Sequence, residues 1–238
     1  MKELASQTVV IVGASSGIGL ATTRAAAQAE ASVVMISRTF SKLEQAAATV
    51  HGNTRPLALD MLDQAAVERS FAAIGAIDHL VVTAVANEYQ LFGPISTVTS
   101  EQVERSLDKL RGFVNVTRAA ATLMRQRGSI CLLSGAGAMK PPRGTSLAGI
   151  ANGGVVSLGK ALAIELSPVR VNVVMPGVVD TMIHGEKRGE IEAWAESAAL
   201  PARRFGQPED IARAILFLMT NPYMTGHTLV VDGGLLLT

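Results

Sequence analysis

Val9-Val10-Ile11-Val12-Gly13-Ala14-Ser15-Ser16-Gly17-Ile18-Gly19 is the stretch on which the reading of this chain turns. Its apolar, β-branched start reads as a buried strand, and Leu20 to Gln28 continues as a helical run. A strand-to-helix turn of this kind aims free backbone N–H groups and the positive helix end at a pyrophosphate. Its glycines permit close backbone approach and tight helix packing. Gly13, Ser15, Ser16, Gly17, Ile18 and Gly19 are therefore candidate nucleotide contacts, the two serines as added hydroxyl donors. A turn of purely structural use is the competing reading, and the strand and helix on either side weigh against it.

Outward from this turn, short apolar runs alternate with longer helical stretches, which is the pattern of repeated βαβ units. Seven strands are predicted: Thr8 to Val12, Ser32 to Ser37, Thr54 to Leu59, His79 to Thr83, Ser129 to Leu133, Arg170 to Val174 and Thr228 to Val231. A helix is expected from about Glu101 to Arg125, capped by Thr99 or Ser100, and another from Pro208, where Glu209 and Asp210 suit the positive helix end. The fold expected is a Rossmann-type, doubly wound α/β domain over residues 1–238, a parallel sheet between two helical layers. The polar segment 180–202 is expected to form a mobile lid over the carboxyl edge of the sheet.

Composition agrees. Hydrophobic residues make up 48% and charged residues 17% of the 238, as suits a sheet buried on both faces. A net charge of +1 with interspersed signs leaves no basic stripe for a nucleic acid. The lone Cys131 lies in Ile130-Cys131-Leu132-Leu133 and reads as a buried structural thiol. The Val9 to Val12 run is too short for a signal or membrane span, so a cytoplasmic location without membrane association is expected.

The second strand ends in Ser37-Arg38, with no carboxylate to accept bonds from a ribose. An arginine there can pair with a 2′-phosphate, so NADP(H) is expected in preference to NAD(H). Asp60, beside Met61 after the third strand, can hold the adenine amino group or cap the next helix.

These residues resemble the short-chain dehydrogenase/reductase family over nearly the whole chain. Val12 to Gly19 is similar to its glycine motif and Asp60 to its adenine-contacting acid. Val171-Asn172-Val173-Val174-Met175-Pro176-Gly177-Val178-Val179-Asp180-Thr181 resembles its proline-glycine motif, and Arg204 to Ala212 and Gly226 to Gly234 resemble its closing helix and strand. The resemblance implies that Pro176, Gly177, the backbone of Val179 and the hydroxyl of Thr181 lie near the nicotinamide carboxamide and phosphates. It also implies a homodimer or homotetramer, built on the helices that carry Lys109 and Asn152 and on the last strand.

The family's chemistry rests on a tyrosine, a lysine, a serine and an asparagine. Here Ala148 stands at the tyrosine position, Asn152 at the lysine, Gly135 at the serine with Ser134 just before it, and Lys109 at the asparagine. The family's Asn-Ala-Gly after the fourth strand has become Thr83-Ala84-Val85, with Ala84 kept as a cofactor contact. Lys109 and Asn152 have exchanged residue types across the cleft. The expectation is a rebuilt polar site in which Lys109, Ser134 and Asn152 are the candidate catalytic residues, with Lys109 turned to substrate or water and Asn152 to the nicotinamide ribose. The competing reading turns Lys109 out to solvent. Tyr89, Lys140, Ser146 and His184 are further groups that can refill the space above Ala148.

Loss of a general acid costs roughly 10²- to 10⁴-fold in rate, and substrates that need little protonation, such as activated alkenes, lose less. An NADP(H)-dependent oxidoreductase acting on a small carbonyl, alcohol or activated alkene is the leading expectation. An inactive NADP(H)-binding protein and a non-redox lyase or isomerase are the alternatives.

Overall fold

The runs of β-branched residues fold as parallel strands: β1 (Thr8–Val12), β2 (Ser32–Ser37), β3 (Thr54–Ala58), β4 (Ile77–Val82), β5 (Met124–Leu133), β6 (Arg170–Pro176) and β7 (Thr228–Val231). A computed structural model describes residues 3–84, 92–196 and 200–238. The seven strands form one sheet in the order β3-β2-β1-β4-β5-β6-β7, the doubly wound arrangement expected. Winding reverses between β1 and β4, so a crevice opens at their carboxyl ends, where the glycine turn begins.

Alternation along each strand sends neighbouring side chains to opposite faces. Val9, Ile11, Val33, Met35 and Val174 pack under α1 (Gly17–Gln28), α2 (Phe40–Ala48) and α7 (Pro208–Thr220), which supply Ala26, Leu43 and Ile215. Val10, Val12, Ile36, Leu80, Leu132 and Val173 pack under α3 (Gln64–Ile74), α4 (Ser100–Ala121) and α5 (Ser146–Glu165), which supply Phe71, Phe113 and Val155. Cys131 is buried in the first of these cores, where desolvation pushes its thiol up to about 12. It is the structural thiol expected from the sequence.

The strands differ from expectation at five ends, by one residue at the close of β3 and of β4 and by more at the starts of β4 and β5 and the close of β6. α4 starts at the expected cap, Thr99, whose hydroxyl accepts from Gln102 N at 3.2 Å while Gln102 Oε1 accepts from Thr99 N at 3.0 Å. It stops at Ala121 and not near Arg125, because the following chain turns into β5 early. Ile77 N donates to Leu123 O at 2.9 Å and Arg125 meets Asp78 at 3.4 Å, so the exposed, polar start of β5 pairs with β4. β4 accordingly starts at Ile77, and β6 runs on to Pro176, where it pairs with Val231.

α5 is apolar enough, with a mean hydropathy of 1.5 over its best window, to suit a membrane by composition. In the fold it seats on the sheet through Gly159, where a methyl group would come within 2.4 Å of Val173 Cγ2. The 180–202 segment holds a 3-10 turn at Met182–Lys187 and α6 (Arg188–Trp194). Asp180 grips Arg188 through two bonds of 2.7 and 2.6 Å.

Candidate active site

The glycine turn is built by close packing. A methyl at Gly19 would fall 2.1 Å from the Gly13 carbonyl oxygen and 2.7 Å from Thr83 Oγ1, and one at Gly13 would meet Ala84 N at 2.7 Å. Gly13 and Gly17 both hold positive φ, of 98° and 52°, a region closed to most side chains. Gly13 N and Ala14 N donate to Ile36 O, at 2.8 and 3.1 Å, which ties the turn to β2. Ser15 Oγ lies 3.0 Å from Ser37 Oγ across the same edge. Ile18 packs its side chain on the core and leaves its backbone in the first turn of α1.

This geometry fits a dinucleotide. Ser16 precedes α1 in an extended conformation and its side chain makes no capping bond, so the helix presents its first N–H groups without a side-chain cap. Thr181 reaches over the turn: a methyl on Gly17 would lie 3.1 Å from its Cγ2. Pro176 and Gly177 close the edge beside β7, with Gly177 N donating to Val231 O at 3.1 Å, and Val179 bridges to Gly206. Arg38 is exposed at the end of β2 and makes no ion pair with the described residues.

Asp60 is exposed and accepts from Leu62 N at 2.9 Å through Oδ1. It does not cap α3; Asp63 does, accepting from Ala66 N at 2.9 Å. Met61 lays its side chain on Gly112 of α4, where a methyl would meet Met61 Cγ at 2.5 Å, and its carbonyl accepts from Asn115 Nδ2 at 3.0 Å. Asn115 was not anticipated, although an asparagine in the apolar run Phe113 to Val116 is itself a signal.

The floor of the cleft is the rebuilt part. Lys109 lies on the sheet-facing stripe of α4 with Ser106, Phe113 and Val116, and is 3% exposed, which overturns the solvent-facing reading. Its Nζ donates to Asn152 Oδ1 at 2.6 Å and stands 5.9 Å from the Phe113 ring centre. The two exchanged residues thus meet as one buried pair.

Ser134 takes a different place from the one expected. Its buried hydroxyl donates to the Asn152 carbonyl at 2.8 Å, so its proton is used on the backbone of α5. Gly135 is the residue whose missing side chain faces the Asn152 amide: a methyl there would lie 3.2 Å from Nδ2. Ala148, buried one turn before Asn152 on the same face of α5, presents only a methyl.

The other candidates are dispersed. Lys140 Nζ donates to Leu235 O at 2.9 Å, Ser146 is exposed at the start of α5, and His184 bonds Val179 O at 2.7 Å while stacking on Phe205. Tyr89 lies outside the described residues.

A sequence profile of the family described as enoyl-(acyl carrier protein) reductase matches residues 13–236. A 3-oxoacyl-[acyl-carrier-protein] reductase of Bos taurus is 34% identical over 236 residues, which cover 96% of this chain and 97% of that protein. A solved short chain dehydrogenase/reductase family protein is 33% identical with a TM-score of 0.89, covering 99% of this chain and 100% of that one. A small-chain dehydrogenase solved in complex with NADPH is 31% identical with a TM-score of 0.82, covering 98% and 99%. With fold, glycine turn and near full-length relatives in agreement, the chain belongs to the short-chain dehydrogenase/reductase family and is an oxidoreductase-like member of this nicotinamide-dependent group.

Proposed function

We propose that this protein is an NADP(H)-dependent oxidoreductase with a nonstandard active site, acting on a small carbonyl compound, alcohol or activated alkene. The observation that carries the reading is the buried Lys109–Asn152 bond of 2.6 Å, which puts a cation and an amide where the family keeps its lysine and asparagine. The NADPH complex among the similar structures supports the choice of cofactor.

The α1 N-terminus with Ser15, Ser16 and Thr181 would hold the phosphates, Arg38 and Ser37 the 2′-phosphate, Asp60 and Met61 the adenine, and Ala84 and Val179 the nicotinamide end. When bound, the cofactor supplies or accepts a hydride. This chain's residues orient the substrate oxygen and stabilise charge on it, through Lys109 and the amide it holds. A second reading, NADP(H) binding without turnover, is favoured by Ala148 and Gly135, neither of which carries a transferable proton.

Fluorescence titration with NADPH and NADH, followed by a turnover panel of ketones, alcohols and enones, tests the proposal. NADPH is expected to bind more tightly than NADH, and Arg38→Ala to weaken NADPH by about 10- to 100-fold while leaving NADH unchanged. Lys109→Met is expected to lower turnover by about 10²-fold or more without altering NADPH affinity. Tight NADPH binding with no turnover on any substrate favours the second reading, and no binding of either cofactor overturns both.

A further inference from the structure

The Asn152 side chain is 4% exposed and only half used. Its Oδ1 accepts from Lys109, whereas its Nδ2 makes no hydrogen bond with a described residue. An ammonium group can only donate, so the amide must turn its oxygen to Lys109 and its N–H group the other way. Nor is Nδ2 sealed in: Thr228 Oγ1 alone, among the described residues, is a fully enclosed side-chain polar atom without a partner. Gly135 leaves the face of this amide uncovered: its absent side chain would have lain 3.2 Å from Nδ2 and 3.5 Å from Oδ1. Ala148, one turn earlier on the same face of α5, carries only a methyl. Ser134 pins the Asn152 backbone at 2.8 Å, so the amide is held from both ends.

We propose that Asn152 Nδ2 is the oxyanion donor of this cleft, with Lys109 as its positioning residue, and that the substrate is a conjugated carbonyl compound. The inference rests on the oxidoreductase reading above. A cation bonded to Oδ1 polarises the amide and strengthens its N–H as a donor. An amide N–H stabilises a negative oxygen but does not give up its proton. A simple ketone reduced here would build the charge of an alkoxide, a far stronger base than an enolate, with no side-chain acid at Ala148 to protonate it as it forms. A conjugated carbonyl avoids this: its β-carbon accepts two electrons and a hydrogen as hydride from the reduced nicotinamide, the charge passes to the oxygen held by Nδ2, and water protonates the α-carbon. Gly135 then sets specificity, because any side chain there would crowd the donor.

The test uses 4-nitrophenol as an oxyanion probe, titrated by absorbance into the full-length protein with and without saturating NADP⁺, alongside NADPH affinity. Wild type is expected to bind the phenolate form and to lower the pH at which the bound dye ionises. Asn152→Asp keeps an oxygen facing Lys109 but removes the donor, and is expected to weaken phenolate binding at least about tenfold with NADPH affinity unchanged. Gly135→Ala is expected to weaken it too, and Lys109→Met to reduce the shift in dye ionisation. Enones should outpace saturated ketones in turnover, and Asn152→Asp should erase that preference. Wild-type indifference to the phenolate, or equal binding by wild type and both Asn152→Asp and Gly135→Ala, overturns the proposal. So does competition by NADP⁺ combined with lost NADP⁺ affinity in Asn152→Asp, which would assign the amide to the cofactor ribose. Absent NADPH binding defeats the oxidoreductase reading, while phenolate binding to the cofactor-free protein still reports on the amide.

Discussion

His79 shows how one buried residue can set a pH dependence. It sits in β4 at 4% exposure, with Nδ1 2.8 Å from Ser129 Oγ and Nε2 2.6 Å from Gln7 Oε1. Burial lowers its pKa from 6.5 to about 4, opposed by the charge of Asp78 and aided by that of Arg170. The unfolded chain therefore binds the proton first, and the fold requires the neutral ring. Its contribution is complete above pH 6.5, falls as pH drops towards 4, and amounts to about 3 kcal/mol across that window. Urea denaturation at pH 7 and pH 5 should show wild type losing stability on acidification, and His79→Gln losing much less; parallel losses would refute the assignment. The sequence gives no local sign of this cluster, because Gln7, His79 and Ser129 are brought together only by strand order. Ser134 and Gly135 fail to declare themselves for a related reason: their residue types are visible, but only the structure reveals which of two neighbours faces α5 and which faces the cleft.

At the scale of elements, legibility follows burial. β1 and β2 fall where their apolar β-branched runs place them, since a strand covered on both faces excludes polar residues. The start of β5 does not, because Arg125, Gln126 and Arg127 are exposed there and look like the tail of a helix. The polar texture of the 180–202 segment encodes, among the described residues, α6 and its preceding 3-10 turn. Asp180 lies one residue before Thr181, and the Arg188 guanidinium bonded to it holds its carboxyl below the usual carboxylate range. If this segment acts as the expected lid, Asp180–Arg188 is the latch. Arg188→Ala should then speed amide exchange over residues 182–194 severalfold while leaving β1 and β4 unchanged, and NADPH should slow exchange in the wild type. Equal exchange in the two proteins would remove the latch.

For the whole molecule, the two faces of the sheet are satisfied but two outer surfaces are not. Val103, Leu107 and Val114 are 42%, 39% and 44% exposed along one side of α4, and Ile150 of α5 is 53% exposed. Leu110, on the same side of α4, already packs on α5 at Gly154, so the two helices present one joint apolar ridge. At the opposite end β7 is the last strand of the sheet among the described residues, and Ile164 of α5, Phe217 of α7 and Val230 of β7 are exposed. Exposed apolar side chains grouped as they are on α4 are what an association site would present. If the ridge meets its own copy about a two-fold axis it closes a dimer, and a second two-fold contact at the β7 face would make a tetramer. Sedimentation velocity at micromolar concentration should therefore find wild type as a dimer or tetramer. Replacing Leu107 and Val114 together by aspartate should halve the assembly while leaving secondary structure intact. Both residues lie on the outer side of α4, away from the Lys109 stripe, so NADPH affinity should stay within about twofold if assembly does not shape the cleft. A monomeric wild type, or a tetramer unaffected by the double substitution, would overturn the assignment of the ridge, and an unaffected dimer would transfer the interface to the β7 face.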